Sequence, residues 1–491
     1  MKKLNILFLS ICILAVNACA GFLDVKPSNQ ADSSTCITSA KDAQVMMNGL
    51  MSKLTSSSYY GRDFVLYGDT KSGDITIYTG GYDDGMYYFS HKVESGAYNG
   101  FWSQGYNCLL QANNIITNLQ KMKDAKTTED IDGLLGQALT ARALIHFDLV
   151  RLYGQPYNMN KGAYGVPIVI AQVDAAEQRQ RNTVEEVYTQ VVKDLNDAAP
   201  LLSKTVSNGY INYYANQAIL AKVYMYMDNW SAALSAAKNV IGGPYTLYTP
   251  DQWVASWSKA YGSESIFELA MVPQEGDLGT SSLGVRYSRK GDGTSNAYGY
   301  FMASKYWKEI MGDDDVRWGI MTYDHMHGDA SSDPEGRSDW KDCCYKYNGS
   351  VSRSGDGKAT YTAVNIKVIR LSEVYLMAAE SALKSNDKQA AADYLNAISI
   401  RNPKAAKWTS ATVTEDEIYK ELRRETLTEG KVFFEAMRLN KTLQYEDDAW
   451  GFGTTSQYRE QSLTRDFFRC ILPISKAELN ANPKIQQNPG Y

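Results

Sequence analysis

Apolar side chains recur at intervals of three and four residues along most of the chain, which is the spacing of helices that bury one face. This spacing is clear in seven stretches: 109–119, 134–152, 183–202, 213–240, 371–385, 388–400 and 415–443. The third stretch opens with a capping box, since Glu186 lies three residues after Thr183. The pattern therefore predicts a mainly α-helical protein.

The residue pattern changes between residues 243 and 362. This stretch is rich in Gly, Ser, Asp and Tyr, and the helical spacing of apolar residues is lost. Such composition is typical of loops with short strands. We therefore divide the chain into a leader over 1–18, a helical region over 19–242, a loop-rich region over 243–362 and a second helical region over 363–491.

Two stretches share the residue spacing of an antiparallel helix pair. The first copy has Ala221 and Ala233 on either side of a turn at Asn229. The second copy has the matching positions Ala379, Asp387 and Ala391. Small residues allow two helices to approach closely, and the pattern resembles the tetratricopeptide repeat. Two copies are fewer than a free-standing solenoid needs, so we expect them to support another part of the protein.

The amino terminus has the order of a secretory signal: a positive start at Lys2 and Lys3, an apolar stretch over 6–16, and small residues around Cys19. The apolar stretch is shorter than the roughly 20 residues that span a bilayer as a helix. The sequence VNAC at 16–19 resembles a bacterial lipobox, which predicts that Cys19 becomes the lipidated first residue of the mature chain. Ordinary cleavage after Ala20, giving a soluble secreted protein, is the alternative.

Composition narrows the class of ligand. A formal net charge of −5 gives no basic face for nucleic acid, and 44% hydrophobic residues suit a globular protein. Tyrosine is unusually abundant, with 35 Tyr against 13 Phe. Because tyrosine combines a flat apolar ring with a hydroxyl, this bias favours polar ligands, although strand-rich proteins are also rich in tyrosine.

Seven cysteines are too few for a disulfide scaffold in a chain of this length. The sequence contains no CxxC pair, so it does not predict a zinc site. Five remain after the leader and Cys19: Cys36, Cys108, Cys343, Cys344 and Cys470. A vicinal bond between Cys343 and Cys344, a bond from either to another cysteine, and free buried thiols all stay open.

Five stretches resemble, in order, the landmarks of the SusD/RagB family of outer-membrane nutrient-binding lipoproteins. They are CAGFLDVKP at 19–27, ALTARALIHFDLVRLYGQP at 138–156, RLSEVYLMAAESALKSND at 370–387, EIYKELRRETLTEGKVFFEAMR at 417–438 and LPISKAELNANPKIQQNPGY at 472–491. The chain departs from the family pattern at Leu422, where Arg is common, and at Ser475, where Pro is usual.

The resemblance implies a SusD-like α-α superhelix, in which tetratricopeptide-like units support a loop-rich, short-strand ligand face. It implies an outer-membrane lipoprotein on the cell surface, anchored through Cys19. Such proteins capture oligosaccharides, or peptides in some members, and pass them to a SusC-like TonB-dependent transporter. It implies no catalysis, no cofactor and no metal. A secreted glycan hydrolase and a tetratricopeptide adaptor that binds protein tails are the competing classes.

Sugar rings pack their C–H faces on aromatic side chains, so tyrosines among glycine and polar residues are the candidate ligand contacts. They are Tyr78, Tyr82, Tyr287, Tyr298 and Tyr300. Loop packing is the alternative for each of them. For three tryptophans we expect packing in the core instead: Trp102, Trp307 and Trp318.

Glu421, Glu425 and Glu429 follow one another at intervals of four, close to Arg423, Arg424 and Arg438. Three acids along one helix edge cannot flank a sugar ring from two sides, so we expect them to form structural ion pairs rather than a hydrolase centre. Asp313, Asp314 and Asp315 precede Arg317, and calcium is one alternative for them because it prefers oxygen ligands. The EF-hand spacing is absent, so we expect a loop cap or an Asp–Arg pair instead. His325 and His327 alternate, but without a third ligand they are a weak metal site.

Overall fold

The computed structural model describes residues 37–77, 84–94, 99–173, 177–288, 300–323, 341–350, 352–449 and 455–491. It confirms a mainly α-helical protein, and within these residues the strands are short and each pairs with one other strand. In the same residues, no helix is both long and apolar enough to cross a membrane.

Helices make up most of the regular structure in the described part of the first half of the chain. Its helices are α1 (Ala40–Leu54), α2 (Asp63–Thr70), α3 (Asp84–Tyr88), α4 (Asn99–Asp124), α5 (Asp132–Tyr153), α6 (Tyr157–Asn160), α7 (Val184–Ala198), α8 (Tyr213–Tyr226) and α9 (Trp230–Ile241). The predicted capping box starts α7: the Glu186 amide donates to Thr183 Oγ1 over 3.2 Å, and the Thr183 amide donates to the Glu186 carboxylate over 2.8 Å.

Short helices occupy the loop-rich region, and longer ones return after it. They are α10 (Pro250–Ser256), α11 (Pro273–Gly276), α12 (Leu283–Tyr287), α13 (Lys305–Lys308), α14 (Leu371–Lys384), α15 (Lys388–Ser399), α16 (Glu415–Thr426), α17 (Val432–Leu439) and α18 (Lys476–Ala481). The strands are β1 (Ile75–Ile77), β2 (Ser265–Leu269), β3 (Phe301–Ala303), β4 (Met321–Tyr323), β5 (Lys341–Cys344), β6 (Ile366–Arg370), β7 (Leu443–Gln444) and β8 (Ser462–Leu463).

The strands form antiparallel ribbons, β1 with β3, β2 with β6, β4 with β5 and β7 with β8. The β2–β6 ribbon joins a strand near the beginning of the loop-rich region to a strand that follows its end. The two ends of the segment between these strands therefore lie side by side.

The two predicted helix pairs are α8 with α9 and α14 with α15. The four alanines of the repeat are fully buried, as close helix packing requires. Asp228 and Asn386 hold the same left-handed position in the two turns, with φ of 56° and 64°. Helix α9 also packs against α14, so the two copies stack directly although the loop-rich region separates them in sequence.

The expectation of one helix over 415–443 is wrong, because the chain breaks between α16 and α17. Thr428 and Gly430 there have φ of 65° and 71°, outside the helical region. The break lies against α2 at backbone contact. A Cβ at Gly68 would lie 2.2 Å from the Gly430 carbonyl oxygen, and a Cβ at Gly430 would lie 2.8 Å from Val65 Cα.

Four cysteines lie in the described part of the chain, all four are buried, and none of them forms a disulfide: Cys108, Cys343, Cys344 and Cys470. This confirms the alternative of buried thiols without a disulfide bond for these positions. Burial raises the pKa of the Cys108 and Cys470 thiols to about 12 in each case, so both stay protonated at neutral pH. Cys36 lies outside the described residues.

Candidate ligand-binding face

The candidate face is built on the β1–β3 ribbon. Its register pairs Ile75 with Ala303 and Ile77 with Phe301. The chain therefore enters the segment 78–83 and leaves the segment 289–299 at the same end of one ribbon. The sequence places most of the candidate tyrosines in or beside these two segments, and the strand pairing brings their attachment points together.

The ribbon is fixed from below by α16. Arg423 Nε donates to the Asp74 carboxylate over 2.9 Å, immediately before β1. The Ser304 amide, immediately after β3, donates to the Asp74 carbonyl over 2.8 Å. Trp307 Nε1 donates to the Arg423 carbonyl over 3.0 Å. One arginine of the helical scaffold thus holds both strands that carry the face.

Tyr300 is the candidate tyrosine that the structure places at this end of the ribbon. It directly precedes β3, and its ring is half-buried against the core. Tyr78, Tyr82 and Tyr298 lie outside the described residues, as does Cys19.

Tyr287 differs from the expectation of a ring near solvent. It ends α12 with 1% of its surface exposed, and its hydroxyl donates to Asp69 Oδ2. Its ring packs on Phe301 and, nearly parallel, on Tyr347. Tyr287 is thus a packing residue beneath the ribbon, because five-residue α12 turns it inward among these rings.

Asp69 connects this packing layer to the break after α16. It accepts the Tyr287 hydroxyl on one oxygen and the Gly430 amide over 2.8 Å on the other. Burial raises the pKa of Asp69 to about 8, so the carboxyl group keeps its proton at neutral pH.

Glu425 is the centre of a buried charge cluster below the face. Its carboxylate contacts Arg370 at 2.8 Å, Arg401 at 3.0 Å and Arg317 at 3.1 Å, and all these side chains are buried. Burial opposes ionisation, yet the three guanidinium groups hold the pKa of Glu425 well below its usual range.

The other two acids complete the cluster. Glu429 pairs with Lys346 and Arg370, each at 2.7 Å, and Glu421 pairs with Arg317 at 2.8 Å. The prediction of structural ion pairs is confirmed. The partners of Glu425 and Glu429 lie far away in sequence. Of the neighbouring arginines, Arg424 pairs with Glu421 at 2.9 Å, whereas Arg438 pairs with Glu380 at 2.6 Å.

The remaining structural expectations are confirmed. Trp102 packs edge-on against Tyr153, and Trp307 packs edge-on against Trp318. Asp315 accepts two hydrogen bonds from the Arg317 guanidinium, at 2.9 and 2.7 Å. His325 and His327 lie outside the described residues, and the residues that are described hold no group of three potential metal ligands.

Stacked helix pairs that carry paired short strands, with acids buried in ion pairs beneath them, define the class of helical-repeat proteins. A family model described as the SusD family matches residues 321–491. A second, described as "Starch-binding associating with outer membrane", matches residues 21–225.

Solved structures and curated relatives match this chain over nearly its whole length. A SusD superfamily protein of Bacteroides thetaiotaomicron is 31% identical, with 92% of this chain and 100% of that chain covered and a TM-score of 0.83. A SusD-like protein of Formosa agariphila is 23% identical over 100% of this chain and 99% of its own. A laminarin-binding SusD-like protein shares the fold at 22% identity, with 93% and 100% covered and a TM-score of 0.70. The chain belongs to the SusD family.

Proposed function

We propose that this protein is a cell-surface lipoprotein that captures oligosaccharides and passes them to a SusC-like TonB-dependent transporter of the outer membrane. The family models that match the chain, one of them for starch-binding proteins that associate with the outer membrane, support this role. A fold neighbour that binds laminarin supports a glycan as the ligand.

The observation that carries the proposal is the pairing of β1 with β3. It fixes the ends of two tyrosine-bearing segments side by side on a rigid base. Aromatic rings that meet on one face can pack along successive sugar units, while neighbouring polar groups take the hydroxyls. A face of this kind recognises a flexible polymer without enclosing it.

The buried acids support binding without cleavage. Hydrolysis of a glycosidic bond needs two carboxyl groups that flank the bond from opposite sides. Glu421, Glu425 and Glu429 are at most 5% exposed, and each is committed to Arg or Lys. We therefore expect no shortened products when the purified protein is incubated with polysaccharide.

The face can be tested by removing its rings. We expect Tyr300→Ala to weaken oligosaccharide affinity about two- to tenfold, because an aromatic contact contributes roughly 0.5–1.5 kcal/mol beyond its area. Adding Tyr82→Ala and Tyr298→Ala should weaken it further. Calorimetric titration with malto- and laminari-oligosaccharides provides the measurement.

Tyr164→Ala is the matched control, since Tyr164 is 43% exposed and lies between α6 and α7, away from the ribbon. Its affinity should equal that of the unmodified protein. Unchanged affinity in the triple variant would show that the face is assigned wrongly. If the protein bound peptides and no glycan, the transported ligand would be a peptide and not an oligosaccharide.

The proposed lipid anchor at Cys19 can be tested separately. Cys19→Ser should abolish incorporation of a fatty-acid probe and move the protein from the membrane fraction to the soluble fraction, because acyl chains supply the membrane affinity. Cys108→Ser is the control, since that thiol is fully buried in the fold. Labelling that persists in Cys19→Ser would place the modification elsewhere.

A further inference from the structure

A second cleft opens on the protein away from the β1–β3 ribbon. It has a volume of about 300 Å³ and lies between the second half of α1, the loop that precedes α8, the turn before β2, and α11. No residue of the β1–β3 ribbon lines it. This volume is at the lower end of the range of about 300–1,000 Å³ that ligand sites occupy, which suits a short stretch of glycan.

Two tyrosines, Tyr210 and Tyr261, line the cleft. Tyr210 donates from its hydroxyl to Asn48 Oδ1 over 2.9 Å. The Tyr261 hydroxyl lies beside Gly209, where a Cβ would approach it to 3.2 Å. Glycine at position 209 therefore keeps the space between the two aromatic residues free of a side chain.

The backbone around the cleft is held in uncommon conformations. Tyr261 has φ of 54°, although it is not glycine, and its amide donates to the buried carboxylate of Glu268 over 3.0 Å. Gly209 has φ of 81°. A bulky residue held in the left-handed region costs about 1–3 kcal/mol, and such residues concentrate at ligand sites.

The polar and apolar groups of the cleft are available to a ligand. Within the described residues, neither the Asn208 amide nor the Glu275 carboxylate has a hydrogen-bond or ion-pair partner. Val272 lines the cleft and is 41% exposed, so an apolar surface stands beside these polar groups.

We propose that this cleft is a second glycan-binding site, which takes a short, uncharged stretch of the same saccharide. Tyr210 and Tyr261 would pack on the sugar, while Asn208 and Glu275 accept or donate hydrogen bonds to hydroxyls. Glu275 is the one charged side chain among the lining residues, so the cleft disfavours uronic acids and sulfated sugars. The inference rests on the proposed function and adds a second point of attachment for one polymer.

The experiment fills the cleft with a side chain. A Cβ at Gly276 would meet no atom within 4 Å, so Gly276→Trp is expected to occupy open space without disturbing the fold. Gly133→Trp is the matched control, because position 133 on α5 is equally unobstructed and lies outside the cleft. Equilibrium dialysis with maltohexaose and laminarihexaose measures the amount bound per chain at saturation, and thermal unfolding checks each variant.

We expect Gly276→Trp to reduce the hexasaccharide bound per chain by about half, since one of two sites is lost. Gly133→Trp should leave the amount unchanged. Glu275→Ala should lower the affinity of one of the two binding phases and leave the affinity of the other unchanged. Full binding by both Gly276→Trp and Glu275→Ala would overturn this site alone. An unmodified protein that binds neither hexasaccharide, nor any other neutral glycan on an array, would overturn the proposed function together with this site.

Discussion

Replacing Glu425 by Gln should destabilise the protein by about 3–5 kcal/mol, which is the usual cost of removing one partner from a buried ion pair. The substitution keeps the size of the side chain and removes its charge. Arg317, Arg370 and Arg401 would then face one another in the interior with less neutralising charge. Chemical denaturation at neutral pH measures the loss of unfolding free energy.

Glu417→Gln is the control on the same helix. Glu417 forms a partly exposed pair with Lys420, so its loss should cost less than about 1 kcal/mol.

The dependence of the unfolding free energy on pH gives a second test of the Glu425 ion pairs. The low pKa of folded Glu425 means that its contribution to stability is present above the unfolded pKa of 4.5 and is lost as pH falls below it. The difference between the two proteins should therefore shrink below pH 4.5, and a constant difference would contradict the ionised state.

Gly68→Ala should be comparably damaging, because its methyl group would lie 2.2 Å from the Gly430 carbonyl oxygen and 2.6 Å from the carbonyl carbon. Both are backbone atoms that cannot rotate away, so α2 and the break after α16 have to separate. We expect a loss of several kcal/mol. Asp69 follows Gly68 and also contacts Gly430, so oligosaccharide affinity should fall as well.

Gly49→Ala on α1 gives a control of opposite sign. A Cβ at position 49 meets no atom within 4 Å, and alanine within a helix is about 0.5–1 kcal/mol more favourable than glycine. Thermal unfolding of the two variants should therefore shift in opposite directions. A Gly68→Ala protein as stable as the original would show that α2 does not cross the break at backbone contact.

The helical scaffold was largely predictable, since periodic apolar residues mark helices that bury one face. The exceptions have local causes. Helix α4 starts at Asn99, ten residues before its apolar period becomes clear, because a Gly-containing first turn resembles a loop. The break between α16 and α17 is not predicted, because the apolar pattern continues on both sides of Thr428 and Gly430. The φ angles of these two residues end the helix there.

The site was less predictable than the scaffold, because side-chain environment depends on contacts between distant parts of the chain. Tyr287 has the glycine-rich neighbours of a surface residue, yet Asp69, far away in sequence, draws its hydroxyl inward. The spacing of Glu425 indicated an ion pair, but only the fold identifies Arg370 and Arg401 as partners. Tyr210 and Tyr261 also adjoin glycines, at Gly209 and Gly262.

The direct packing of α9 on α14, with β2 and β6 paired beside them, has a consequence for how insertions are tolerated. The two strands hold the ends of the segment between them side by side, so added length within that segment need not move the stacked repeats. Arg317 and Lys346 of the same segment pair with the buried Glu425 and Glu429. Insertions should therefore be tolerated in the stretches that lack such contacts, and not throughout the segment.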